Sequence, residues 1–336
     1  MANGRMNFAG RISSGIAIAA AFLASLAAPA SVSAQEASVG AQQALAEKLA
    51  LPPNAGKAVQ EIYAGEPEAA IAAAQSFEKE RPDDPFAYLL EAEARWWQLY
   101  CRQSGIRYGM VDVWQLPKDP ENPPYLAAAR KAVSLARAQL AKGDTAKANL
   151  YAGMGYALEA RVYGLRGGRM DTAKAGVKAR EHLLKALQLD PQLADADTGL
   201  GLYNYYVDTL SPIVKLLRFF LGIPGGSKQQ GMQQLRAAME HGFLTAVEAR
   251  FYLASNLRTY DHLYTEALKV AEPLVRQYPE NPIFLLLVAN LELEIGRREQ
   301  ADETLAQIGK LKIPDAACAA RSEQLARKLT ASGREK

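Results

Sequence analysis

The chain has 336 residues, 49% of them apolar, and a formal net charge of +3. It is long enough for a large core and too close to neutral for a nucleic-acid binder, which needs a basic footprint. Its three histidines, His182, His241 and His262, form no His-x-x-x-His or His-Glu-x-x-His pair, so neither a metal site nor a cofactor is expected.

Residues 1–34 carry Arg5 and Arg11, an apolar run over 16–28, and Val32-Ser33-Ala34. A basic start, an apolar run and small residues before a cut are the parts of a secretory signal. The run is short and Ala-rich for a membrane anchor, so cleavage after Ala34 is expected. The mature protein is then periplasmic or secreted. Removing Arg5 and Arg11 from the 39 basic residues leaves 37 against 36 acidic ones, a near-neutral mature chain. Residues 35–50 read as a linker or short helix. Cys101 and Cys318 lie far apart in sequence. An oxidising compartment allows a disulfide, but it needs two distant parts of the chain to meet. The expectation is therefore two small buried apolar side chains.

From residue 41 onward Ala and Leu dominate and β-branched alternation is nearly absent, which predicts helices throughout. A fixed period is visible near the C-terminus. Ala267 and Ala301 are 34 residues apart, as are Asn256 and Asn290, and Ser255 and Ala289. Two helix-pair units follow, roughly 248–281 and 282–315. Elsewhere an alanine stands 12 residues before a proline: Ala70 before Pro82, Ala179 before Pro191, Ala267 before Pro279. The helices that follow pair a large residue with a small one four later: Tyr88 and Ala92, Tyr151 and Gly155, Phe251 and Ser255, Leu285 and Ala289. The small residue lets two helices cross closely, and the proline stops a helix and sets the next turn.

These spacings resemble the tetratricopeptide (TPR) repeat, a 34-residue helix-turn-helix unit. The resemblance implies an all-α, right-handed TPR superhelix, an α-solenoid of about five to six helix pairs over 51–329, with a disordered tail at 330–336. In the centre, GLGLYNYYVDTLSP followed by LRFFLGIPGGSKQQGMQQL is similar to uncharacterised secreted bacterial TPR proteins. Over about 40 residues it also resembles the eukaryotic tetratricopeptide-39 family, with Ser227 where an acidic residue is more usual. That second likeness implies shared architecture and membrane or lipid association, and transfers no catalytic residue.

Several segments depart from the repeat. A long loop over 102–123, containing Asp112, Trp114, Glu121 and several prolines, exceeds what a compact domain normally uses. A helix from 125 to 141 follows, stopped by Gly143-Asp144. The next pair, about 145–166 and 170–190, turns at Gly167-Gly168. In the central pair the small positions Gly201 and Gly231 are 30 residues apart instead of 12, so an insertion at about 209–226 forms an apolar hairpin. Ser227 reads as the cap of the helix after it.

The favoured function is a non-catalytic scaffold that binds a protein or peptide segment in its concave groove, which the first helix of each pair lines. The groove candidates are Asn204, Tyr205, Tyr252, Asn256 and Asn290. In related repeats an asparagine placed like Asn256 and Asn290 holds an extended backbone, because an amide both donates and accepts. Tyrosines suit such an interface. The first alternative is a membrane- or lipid-associated solenoid that uses the apolar helix 213–223. It is too short to span a bilayer but greasy around Leu217, Phe219 and Phe220, with Lys215 and Arg218 on one face. The second is a hydrolase near loop 102–123, which needs carboxylates converging around Asp112 and Glu121. Acidic residues otherwise read as solvent-facing, and His182 as exposed on a helix.

Overall fold

The prolines that punctuate the sequence mark helix boundaries in the computed structural model. The structure describes residues 46–117 and 123–335, within a unit spanning 41–336. Pro67, Pro85, Pro212 and Pro282 each open a helix, where the missing N–H costs nothing. Asp84 caps the first of two neighbouring turns by accepting from Phe86 N, and Asn281 caps another by accepting from Ile283 N and Phe284 N. Thr145 and Ser227 do the same for Ala148 N and Gln230 N. The cap expected at Ser227 is therefore present.

Among the described residues there are fourteen helices of this unit. They are α1 (Ala55–Tyr63), α2 (Pro67–Glu80), α3 (Pro85–Gln103), α4 (Pro123–Leu140), α5 (Ala146–Leu165), α6 (Arg169–Leu189) and α7 (Asp195–Thr209). They continue with α8 (Pro212–Phe220), α9 (Lys228–His241), α10 (Ala246–Thr259), α11 (Tyr264–Gln277), α12 (Pro282–Glu294), α13 (Arg298–Ile308) and α14 (Ala316–Glu335). The packing is sequential and repeat-like. α1 packs on α2, α3 on α4, α5 on α6, α7 on α9, α10 on α11 and α12 on α13. The insertion places α8 between α7 and α9. Gly201 and Gly231 explain the closeness of that central pair. A Cβ on Gly231 would come within 2.6 Å of Gly201 O and 2.7 Å of Tyr205 N, so the two backbones touch where no side chain fits.

The first helices of successive pairs also touch one another: α3 with α5, α5 with α7, α7 with α10, and α10 with α12. They form an inner layer. Its far ends meet as well. α14 packs on α3 and on α12, Asn281 Nδ2 donates to Tyr63 O at 2.8 Å, and Tyr278 OH donates to Gln60. Trp97 of α3 lies edge-on to Tyr63 of α1, Phe251 of α10 and Phe284 of α12, with ring centroids 5.0 to 5.6 Å apart. Burying so much ring surface at one point joins the start of the unit to its end.

Four expectations are corrected here. Cys101 of α3 and Cys318 of α14 form a disulfide, because α14 docks on α3 and supplies the meeting that the sequence separation hides. Arg102 pairs with Asp315 at 2.5 Å, and Arg321 donates to Ser104 O beside it. The loop after α3 holds an antiparallel hairpin, β1 (Gly105–Arg107) and β2 (Met110–Asp112), in an otherwise helical unit. Tyr108 and Gly109 join the strands at φ +52° and +75°, the signs that a two-residue type I′ turn needs. The last helix runs to Glu335, so residues 330–335 continue a helix and are not a tail. His182 is half-buried, with Nδ1 2.9 Å from Asn149 Oδ1 and its ring stacked on Tyr156. The signal segment 1–34, most of the linker, and Glu121 of the loop lie outside the described residues.

Candidate functional site

The inner layer brings most of the expected groove residues into one region, but as partners of this chain's own groups. Asn290 on α12 is buried. Its Nδ2 donates to Gly109 O at 2.8 Å, and its Oδ1 accepts from Val111 N at 3.4 Å. One amide thus holds the turn and the second strand of the chain's own hairpin. Val111 packs its side chain among Leu285, Ala289 and Leu325, which anchors the strand on α12. Arg258 on α10 completes the grip, donating to Val111 O at 2.9 Å. It is also 3.4 Å from Asp112 Oδ2 and from Asn290 Oδ1. Asp112 is committed as well, accepting from Tyr100 OH at 2.8 Å and from Val113 N at 2.7 Å.

Two residues before Arg258 on α10, Asn256 is only 1% exposed. Its Oδ1 accepts from Tyr206 OH at 3.1 Å, and its buried Nδ2 has no hydrogen-bond partner. Tyr205 is buried beside it, donating to Asp261 Oδ2 at 2.6 Å, and Lys228 pairs with Asp261. Tyr260, partly exposed, closes this cluster with ring contacts of 5.8 and 6.0 Å to Tyr205 and Tyr206. Asn204 stands apart from the others. Its Nδ2 donates to Gln234 Oε1 on α9 at 2.7 Å, so it ties the central pair together. The Tyr252 ring lies 5.5 Å from the Arg161 guanidinium.

Arg161 leads to a feature that sequence reasoning missed. It lies 4.8 Å over the Trp96 ring, donates to Glu93 Oε2 at 3.0 Å, and makes a second ion pair with Glu248. Glu93 also accepts from Trp97 Nε1 at 2.8 Å. Asp195, 1% exposed, accepts through Oδ1 from the N–H groups of Phe243, Leu244 and Thr245 at 2.8 to 3.0 Å. The expectation that acidic residues face solvent is therefore corrected: Asp195 and Glu248 are buried. Burial pushes the Glu248 carboxyl up to about 8, with Arg161 pulling against it and Glu93 adding to the rise. Burial raises Asp195 too, opposed by the hydrogen bonds around Thr245. No periodic signal marks these residues, because a charge on a repeat helix looks the same whether it points inward or out.

The insertion helix α8 is the most exposed apolar element described. Phe219 is 76% and Leu221 60% exposed, with Val214 and Leu210 nearby. Lys215 pairs with Asp208 at 2.9 Å, and Arg218 donates to Ile223 O. Leu217 and Phe220 lie on this helix, with side chains outside what is described. No helix among the described residues is long and apolar enough to cross a membrane. Compared with models of known protein families, the chain matches none.

Proposed function

We propose that this chain is a non-catalytic TPR-type superhelix, exported to the periplasm or beyond, that holds a protein or peptide segment on its inner layer. The observation that carries the reading is the partly exposed Tyr260, in ring contact with Tyr205 and Tyr206 at 5.8 and 6.0 Å. Asn290 does not serve a partner, because its amide is spent on the chain's own hairpin. The surface open to a partner then lies around Tyr260, Tyr206 and Tyr252, where rigid tyrosines offer both ring area and hydroxyls. The disulfide between α3 and α14 supports export, since such bonds persist in oxidising compartments.

The test is a photo-crosslinking residue at Tyr260 of the full chain, in cells, followed by mass spectrometry. A recurrent protein partner is expected, lost when Asn256 and Tyr206 are changed together to Ala. Crosslinks to lipid alone would overturn the reading. Exposed Phe219 and Leu221 on α8 favour a second reading, attachment to a membrane surface through this helix. Binding to anionic vesicles that is lost in Phe219→Asp is its expected result, and absence of binding by the parent chain removes it.

A further inference from the structure

Glu248 and Asp195 border an internal chamber of about 60 Å³ that the peptide-binding reading does not use. Its walls come from α1, α3, α5, α6, α7 and α10, with Leu90, Met154, Leu158 and Leu202 on the apolar side. Glu93, Arg161, Asp195, Thr198 and Glu248 make up the polar side. The polar side is short of donors. The one guanidinium is shared between Glu93 and Glu248. Thr198 spends its hydroxyl proton on Thr245 Oγ1 at 2.7 Å, and Thr245 is 3.0 Å from Asp195 Oδ1. Asp195 Oδ2 is left buried with no hydrogen-bond partner. Three carboxylates therefore face one cation, and one carboxylate oxygen has no donor at all.

Such an imbalance in a low-dielectric interior is relieved by a proton or by a cation that brings its own donors. We propose that the chamber binds a short aliphatic ammonium compound, its head group held between Asp195 and Glu248 and its carbons against Leu90, Met154 and Leu202. An ammonium supplies three N–H donors and one positive charge, which is what the polar side lacks. An anion or an acceptor-only ligand would add to the imbalance. A bare metal ion fits less well, because no group of three or more His, Cys, Asp or Glu among the described residues is placed to hold one. The size limits the carbon chain: a cavity of about 150 Å³ holds benzene, so this one takes only a few carbons.

Binding competes with protonation of Glu248. The groups that set this competition are Arg161 on α5, Glu93 on α3 and Asp195 on α7. Tyr63, Tyr125 and Tyr252 surround them as neutral phenols whose titration burial pushes up. A cation that binds near pH 7 therefore displaces a proton from the site.

The experiment is calorimetric titration of the full exported chain with propylammonium chloride, with propanol and propionate as shape-matched comparators. Saturable one-to-one binding of propylammonium alone is expected, with proton release seen as buffer-dependent heat at pH 7. Glu248→Gln should weaken it about 30-fold, the scale of losing one partner of a buried charge pair. No binding by propylammonium overturns the proposal, as does equal binding of propanol or unchanged affinity in a folded Glu248→Gln protein. If that variant does not fold, the three-ligand comparison and the proton release on the parent protein decide.

Discussion

The inner layer has two ends built from opposite materials. Around Trp97 it is dry and aromatic, with Tyr63, Tyr100, Phe251 and Phe284 packed ring to ring. Around Arg161 the same helices present Glu93, Glu248 and Asp195 to a chamber. Glu93 joins the two, since it accepts from Trp97 Nε1 and from Arg161. The aromatic end joins the first pairs to the last and supplies stability. The charged end carries desolvation cost that better-packed apolar side chains would remove.

The sharpest test of this contrast is Trp97→Ala. It opens a cavity at the junction and should cost about 3–5 kcal/mol, read by chemical denaturation. A loss under about 1 kcal/mol would mean the junction is not where the unit is held together. Removing the disulfide with Cys101→Ser and Cys318→Ser should cost about 2–5 kcal/mol and speed hydrogen exchange in α14 before the rest. At the charged end the prediction is a pH dependence. The Glu248 carboxyl sits above its unfolded value, so the folded state binds more protons than the unfolded state between about pH 4.5 and 8. Its contribution is most favourable below the unfolded pKa and is lost as pH rises through that window. Melting curves of the parent should fall across this range, and Glu248→Gln should flatten the fall. A parent curve that rises with pH throughout would contradict the assignment.

Two smaller effects concern the hairpin. Asn290→Ala removes both contacts to its backbone and should cost about 1–2 kcal/mol, with faster exchange at Val111 N–H. Tyr108 holds φ +52° with its side chain 79% exposed, so Tyr108→Asn should gain up to about 1 kcal/mol by easing a left-handed residue. A stability loss there would show that Tyr108 packs against something in solution.

Much of the helical frame was legible because its causes are local. Asp84-Pro85 and Asn281-Pro282 cap and open helices wherever they occur, and Gly201 with Gly231 announces a close crossing. What stayed hidden depends on contacts between distant helices. Cys101 meets Cys318 only because α14 returns to α3, and nothing near either cysteine encodes that return. The hairpin escaped notice because its strands have three residues each and its turn is Tyr-Gly, without the usual Asn-Gly. Glu248 and Asp195 read as solvated charges for the same reason: the direction a helix faces is settled by its neighbours. Of the expected groove residues, Asn204, Tyr205, Asn256 and Asn290 sit on helices α7, α10 and α12, where their hydrogen bonds go to this chain's own groups.

The bond between Cys101 and Cys318 has a further consequence. These are the chain's only cysteines, so no wrong intramolecular pairing exists. The second of them belongs to the last helix. During synthesis Cys101 has no intramolecular partner until residue 318 has been made and α14 has found its place on α3. Closure is thus a chemical mark that α14 has docked. A chain cut short before residue 318 keeps a thiol at Cys101, and a thiol-specific label would count such molecules directly.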